Sequence, residues 1–136
     1  MNDIRTRVHD LYWESDINCA RTMLICLSEL FDVTLEQQTI ASAAGLHGAG
    51  GFGAQCGLVE GGLMFIGIYD TQRGKSEDQI VSGCYEYAKA FEQQFHSLRC
   101  CDLRPSGFGD NDPPHMCEKL TWEAVDFAYH FIKDRV

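Results

Sequence analysis

The residues best suited to chemistry in this sequence are its cysteines. The chain of 136 residues contains seven of them. They are Cys19, Cys26, Cys56, Cys84, Cys100, Cys101 and Cys117. A cysteine can act as a nucleophile, as one half of a redox pair, or as a metal ligand. In a reducing compartment, thiols in such number are more typical of ligands, redox centres or core positions than of a static disulfide framework, and their odd count agrees with this.

Sulfur recurs where the sequence predicts the end of a helix, at Cys19, Cys56, Cys117 and the adjacent pair Cys100 and Cys101. Backbone amides at a helix N-terminus favour the thiolate, so we expect a lowered pKa, above all at Cys56. Cys26 and Cys84 lie on apolar helix faces, where a free cysteine is commonly a small core residue. No compact CxxC pair is present, and a zinc ribbon is therefore not indicated.

Cys56 follows a glycine-rich segment, and residues 45–68 contain nine of the thirteen glycines. Gly48, Gly50 and Gly53 form a GxGxxG pattern, which in a dinucleotide site follows a strand and opens the helix of a βαβ unit. Here a helical segment precedes the pattern and no second strand follows. We therefore expect no nucleotide cofactor.

The apolar segment after Cys56 contains three residues with two interpretations each. Gly57 and Gly61 would let another helix pack closely, or would leave room for a cofactor on the same face; packing is the simpler reading. Glu60, one turn after Cys56, would bond to backbone groups of the glycine-rich segment or accept the proton of Cys56, because an unpaired buried acid is costly. His115, two residues before Cys117, could replace a cysteine as a ligand, and His47 in the glycine-rich segment could approach the same place.

The pattern of apolar residues predicts an all-α fold, a single helical four-cysteine domain over residues 1–136. Five or six helices would pack around a buried central helix at about 56–68. The expected helices are 3–13, 17–31, 35–44, 56–68, 76–95 and 117–133, with an irregular segment at 97–116 that holds all three prolines.

Several helix ends are marked by capping residues. Asp16 or Asn18 can cap the second helix. Thr34 with Gln37, and Ser76 with Gln79, resemble capping boxes. Gly45 is placed to end the third helix.

The net charge of −9 argues against nucleic acid or an anionic membrane as a partner, since both require a basic face. The first sixteen residues lack the apolar core of a secretory signal, and the apolar stretch at 61–69 is too short to span a bilayer. We therefore expect a cytoplasmic protein. The apolar surface of such a bundle could also support a homodimer.

The ordered cysteines resemble the redox-active protein family named for its C_GCAxxG_C_C pattern. The similarity rests on Asn18-Cys19-Ala20, on Cys56-Gly57-Leu58-Val59-Glu60-Gly61, on Ser97-Leu98-Arg99-Cys100-Cys101-Asp102-Leu103, and on Cys117 at the start of the last helix. It extends over nearly the whole chain, about residues 11–132. The third motif's cysteine falls on Cys100, with Cys101 as an adjacent second candidate.

The resemblance implies that Cys19, Cys56, Cys100 and Cys117 converge in a helical domain with a redox role. The first hypothesis is a metal centre in which these four thiolates hold an iron–sulfur cluster or another metal for electron transfer, with Gly57 and Gly61 beside the cofactor. The second is a thiol–disulfide enzyme in which Cys56 attacks and Cys19, Cys100 or Cys117 resolves. The third is a non-catalytic helical interaction module whose cysteines bind structural zinc or merely pack. The redox partner and the substrate stay open.

Overall fold

The computed structural model describes residues 2–104 and 117–135, and every regular element in these two ranges is a helix. The helices are α1 (Asn2–Trp13), α2 (Cys19–Leu30), α3 (Gln37–Ser42), α4 (Gly48–Gly51), α5 (Gly57–Gln72), α6 (Glu77–Phe95), α7 (Cys100–Leu103) and α8 (Glu118–Asp134). The predicted all-α fold is confirmed, and the two additional helices are single turns. Most of the predicted irregular segment, including His115, lies outside the described residues.

The central helix is α5, as the sequence predicts, although it continues to Gln72. It packs most extensively against α2 and also contacts α6 and α8, while α1 lies across α2 and α8. Because α5 is apolar around most of its circumference, burial on several sides is its stable arrangement. Its apolar side chains Leu58, Val59, Phe65 and Ile66 are almost completely buried. No helix in the described part of the chain is long and apolar enough to cross a membrane.

A buried ion pair fixes the far end of this central helix. Asp70, which is fully buried on α5, accepts from the guanidinium of Arg135 with an N–O distance of 2.8 Å. Gly83 of α6 lies directly beneath that guanidinium, and a methyl group there would overlap it. The pair therefore joins α5, α6 and the end of α8 at the pole opposite the start of α5, where Cys56 lies.

Two predicted helix caps are confirmed. Asn18 caps α2, because its Oδ1 accepts from the backbone amide of Arg21 at 2.9 Å. Ser76 and Gln79 form a reciprocal capping box, with bonds of 3.2 and 2.9 Å between side chain and backbone. Both motifs are local, so their residues can be recognised in the sequence.

The predicted start and end of the third helix are wrong. This helix begins at Gln37 with Glu36 in the capping position, and no side-chain bond closes that end. Thr34 therefore lies outside the helix. At the other end, α3 stops at Ser42 and successive turns occupy residues 43–47, so Gly45 does not terminate it.

The glycine-rich segment folds into a left-handed turn. Residues 48–51 all have positive φ, between 57° and 85°, and the amides of Gly50 and Gly51 donate to carbonyls five and four residues earlier. For L-residues the left-handed helix costs roughly 1–2 kcal/mol per residue because Cβ approaches the carbonyl oxygen. Three of the four residues are glycines and avoid this cost, whereas Ala49 bears it. The turn by itself accounts for glycine at these positions.

We predict that the left-handed turn, and not crowding, makes Gly50 intolerant of substitution. Gly50 has a φ of +70° and Gly45 has no positive φ, yet neither would place a Cβ within 4 Å of another group. Gly50→Ala should lower the free energy of unfolding by about 1 kcal/mol, whereas Gly45→Ala should leave it unchanged or raise it slightly. Urea unfolding of the two variants measures both values. Equal effects of the two alanines would refute the role of backbone conformation.

Candidate functional site

The four cysteines of the motif lie at the starts of four helices. Cys19 and Cys100 are the first residues of α2 and α7, and Cys56 and Cys117 occupy the capping positions of α5 and α8. The segments that carry them come from distant parts of the chain, so packing of the bundle decides whether the sulfurs meet.

Close packing of α5 on α2 brings Cys56 to Cys19. A methyl group at Gly57 would overlap the Sγ of Cys19 and would lie 2.5 Å from the carbonyl oxygen of Leu46. Only glycine therefore fits at the residue after Cys56. The first turns of the two helices meet at this point.

Backbone pairing brings Cys100 to the same place. Gln55 and Arg99 form an isolated antiparallel bridge, the amide of Cys56 donates to the Leu98 carbonyl at 2.8 Å, and the amide of Cys100 donates to the Ala54 carbonyl at 2.7 Å. The glycine-rich segment also borders Cys100. A methyl group at Gly48 would lie 3.0 Å from its Sγ.

Electrostatic coupling joins Cys117 to the other three thiols. Cys56, Cys117 and Cys100 each raise the pKa of Cys19. Cys117 likewise raises the pKa of both Cys56 and Cys100. The four sulfurs are therefore near enough for the charge on one to oppose ionisation of another. We call Cys19, Cys56, Cys100 and Cys117 the cysteine cluster.

The remaining cysteines have other surroundings. Cys26 is buried on α2 near the Arg7–Glu29 ion pair, and Cys84 on α6 interacts with Asp70 and Arg135. Cys101 is partly exposed, and its thiol donates to its neighbour Asp102 at 3.8 Å. Of the adjacent pair 100 and 101, it is Cys100 whose Sγ lies against the turn at Gly48 and whose pKa responds to Cys117.

The lowered pKa expected for Cys56 is wrong. Burial raises the pKa of this thiol to about 12, and Cys100 and Cys117 add to the rise. The amides of Leu58 and Val59 act in the opposite direction, as a helix start should, but they do not complete a hydrogen-bonded cap. Burial also raises the pKa of Cys19 and Cys100. Desolvation therefore exceeds the helix-terminus effect, and these three thiols are neutral at pH 7.

A pair of buried hydroxyl groups, which the sequence did not reveal, borders the cysteine cluster. The Oγ1 of Thr121 donates to the Cys117 carbonyl at 2.8 Å and lies 2.5 Å from the hydroxyl of Tyr12. Because the Thr121 proton is used on that carbonyl, the Tyr12 hydroxyl is the donor in the second bond. Tyr12 and Thr121 are 3% and 0% exposed. The spacing of Cys117 and Thr121, one helical turn apart, is the only sequence signal for this contact.

Gly61 continues the close contact between α5 and α2. A methyl group there would lie 2.5 Å from the Ala20 carbonyl oxygen and 3.0 Å from the Met23 Cβ. The space beside Gly57 and Gly61 is thus filled by α2, which accords with the packing interpretation. Glu60 accepts from the Gln55 side chain at 2.9 Å, so its partner is a side chain and not the expected backbone groups.

Asn18 connects the start of α2 to the glycine-rich segment. Its Nδ2 lies 3.0 and 2.8 Å from the carbonyl oxygens of Ala43 and Ala44, and 3.2 Å from the Nδ1 of His47. His47 therefore lies beside the residue that precedes Cys19. The capping role of Asn18 is readable from sequence, but these long-range bonds are not.

The described side chains do not have the arrangement of a metal site. In residues 2–104 and 117–135, no group of three or more His, Cys, Asp or Glu side chains could hold a metal ion. The cysteine cluster as folded here does not fit an iron–sulfur cluster or zinc, and we derive no step through either.

Comparison with known protein families identifies the pattern behind this geometry. A family described as "Putative redox-active protein (C_GCAxxG_C_C)" matches residues 17–131. The chain belongs to this family. The match includes all four members of the cysteine cluster and begins after α1, so Tyr12 lies outside it. No curated protein and no solved structure matches the chain.

We predict opposite effects of alanine at two glycines of α5. Gly61→Ala should lower the free energy of unfolding by about 1–3 kcal/mol, because the methyl group would separate α5 from α2. Gly67 has nothing within 4 Å of its Cβ position, so Gly67→Ala should raise it by roughly 0.5–1 kcal/mol through helix propensity alone. Chemical denaturation measures both. A Gly61→Ala variant as stable as Gly67→Ala would contradict close helix packing.

The raised thiol pKa values predict a loss of stability in alkali. Unfolded Cys56 ionises near pH 9 and folded Cys56 near pH 12, so its contribution is complete below pH 9 and is lost between these values. Under reducing conditions, Cys56→Ala should make the decline between pH 9 and 11 shallower by about 1.4 kcal/mol per pH unit. Denaturation at several pH values measures the slope.

Val59→Ala provides the control for this experiment, because it removes buried apolar volume next to the site without removing an ionisable group. It should lower stability by the same amount at every pH. An unchanged slope in Cys56→Ala would show that the thiol ionises equally well in the folded protein.

Proposed function

We propose that the protein transfers electrons by thiol–disulfide exchange within the cysteine cluster. The observation that carries this proposal is the meeting of four helix starts, each with a cysteine, whose thiols influence one another's pKa. Thiols held near one another can form an internal disulfide when one of them is deprotonated and a partner's disulfide accepts their two electrons. Family membership supports a redox role at the coarser level.

The exchange balances with a partner protein that carries a disulfide. A thiolate of the cluster attacks one sulfur of the partner's disulfide, and one partner thiolate leaves. A second cluster thiolate attacks the mixed disulfide, forms an internal disulfide and releases the partner's other thiolate. Two electrons pass to the partner, which takes up the two protons that the cluster thiols lose. The reverse sequence reduces the cluster.

Burial assigns different parts to the thiols in this exchange. Cys56 is 4% exposed and Cys100 is 9% exposed, whereas Cys19 and Cys117 are partly exposed residues. The sulfur that first meets a partner should therefore be that of Cys117, because the Sγ of Cys19 lies against Gly57 and burial raises its pKa. Cys56 should act from within as the resolving thiol. From the sequence alone Cys56 was expected to be the attacking thiol, and in this proposal it is the resolving thiol instead.

Thiol counting in graded redox buffers tests the proposal. The wild-type protein should show a reversible two-electron step, Cys56→Ser should abolish it, and Cys26→Ser should retain it because Cys26 lies on α2 away from the cluster. Absence of a reversible step in the wild type would overturn thiol–disulfide exchange.

Iron, acid-labile sulfide and zinc should be measured on the same anaerobically purified protein. Stoichiometric iron and sulfide, with an absorption band that Cys56→Ser removes, would replace the proposal with a cluster mechanism. Stoichiometric zinc whose chelation melts the helices would favour the structural module instead.

A further inference from the structure

The first turn of α8, which follows its capping residue Cys117, is held from one side by α1. Tyr12 donates to Thr121 at 2.5 Å, and Thr121 in turn holds the Cys117 carbonyl at 2.8 Å. One residue after Cys117, Glu118 receives the indole N–H of Trp13 at 2.6 Å and lies 3.0 Å from the Nδ1 of His9. Three side chains of one helix thus fix the turn that carries a cluster thiol.

Two of these bonds face solvent and one does not. Trp13 is 51% exposed and the His9 side chain is 58% exposed, so their bonds to Glu118 are weakened by water. Tyr12 and Thr121 are buried, and a buried hydroxyl that loses its partner carries the full cost of desolvation. The Tyr12–Thr121 bond is therefore the member of this set that best resists movement of the turn.

Tyr12 is also coupled electrostatically to the cysteine cluster. Its pKa is raised by burial and by Cys19, Cys117 and Cys56. Ile4 and Val8 of α1 are buried only as apolar core residues. Since the family match begins at residue 17, this contact is supplied by a part of the chain outside the matched pattern.

We propose that Tyr12 is a positioning residue for the redox reaction: through Thr121 it fixes the backbone of Cys117 so that this thiol stays aligned with the other cluster cysteines. The inference rests on the proposed thiol–disulfide exchange. It extends the site to α1, and it assigns to α1 a part in the reactivity of Cys117 in addition to its packing.

Tyr12→Phe tests the inference, because it keeps the ring and removes the hydroxyl. A net hydrogen-bond contribution of this kind corresponds to roughly a three- to tenfold change in an equilibrium constant. We expect the equilibrium constant for forming the internal disulfide, measured against glutathione, to fall by roughly that factor. In the reduced protein, the alkylation of Cys117, monitored by mass spectrometry, should become faster by roughly the same factor, since the first turn of α8 is freed.

Arg7→Gln is the matched control. Arg7 also attaches α1 to the bundle, through a two-point bond to Glu29 of α2 at 2.8 and 2.9 Å, but it does not touch the turn at Cys117. It should leave both readouts unchanged. Thr121→Val removes the same hydrogen bond from the α8 side and should reproduce the effect of Tyr12→Phe, which provides a second variant should the first fail to fold.

The outcomes separate the inference from the proposed function. A wild-type protein that cycles reversibly while Tyr12→Phe and Thr121→Val leave disulfide formation and Cys117 alkylation unchanged would overturn the role of Tyr12 alone. A wild-type protein with no reversible step would overturn the proposed function. Equal changes in Arg7→Gln and Tyr12→Phe would reduce the effect to general attachment of α1 and would also overturn the inference.

Discussion

The contact between α2 and α5 is the constraint on which the rest of the site depends. Gly57 and Gly61 are spaced one turn apart on α5, and the positions where their side chains would begin are occupied by the backbone and side chains of α2. Two helices that approach so closely bring their first turns together, and each first turn carries a cysteine. The same glycines therefore serve packing and juxtaposition of the sulfurs at once. The other two cysteines are added to this pair by the antiparallel bridge at Gln55 and by the start of α8.

Placing cysteines at helix starts and burying them has opposing electrostatic consequences. Helix amides favour the thiolate, but removal from water disfavours it, and for Cys56 burial has the larger effect. At Cys19, Cys56 and Cys100 this balance leaves the thiols neutral, which lowers mutual repulsion within the cluster. In the proposed exchange, deprotonation of a buried thiol must therefore accompany the arrival of a partner or a local opening of the site. Sequence reveals the helix starts but not the depth at which they lie, and for this reason the sign of the pKa shift could not be read from it.

The sequence predicts this fold well where the determining contacts are local. The capping box of Ser76 and Gln79 and the cap at Asn18 lie within one turn of chain, and both form as expected. Thr34 has the same local pattern and fails, because the chain enters α3 two residues later than the pattern suggests. The left-handed turn at 48–51 is a different case. Glycine permits that conformation without requiring it, so the composition of the segment indicated freedom but not its hand.

Long-range contacts account for what the sequence leaves undetermined at the site, and Tyr12 illustrates the reason. Its place on the apolar face of α1 marks it as a core residue, and a tyrosine there is explained by packing alone. Only the folded chain shows that its hydroxyl contacts Thr121, more than a hundred residues away. It also shows that the Thr121 hydroxyl already donates its proton to the Cys117 carbonyl. Because Thr121 donates to that carbonyl, Tyr12 must donate to Thr121. The two hydrogen bonds therefore run in one direction, from α1 to the backbone of Cys117. A polar chain of this kind costs free energy wherever it is incomplete, so it constrains the start of α8 more tightly than apolar contact of equal area would.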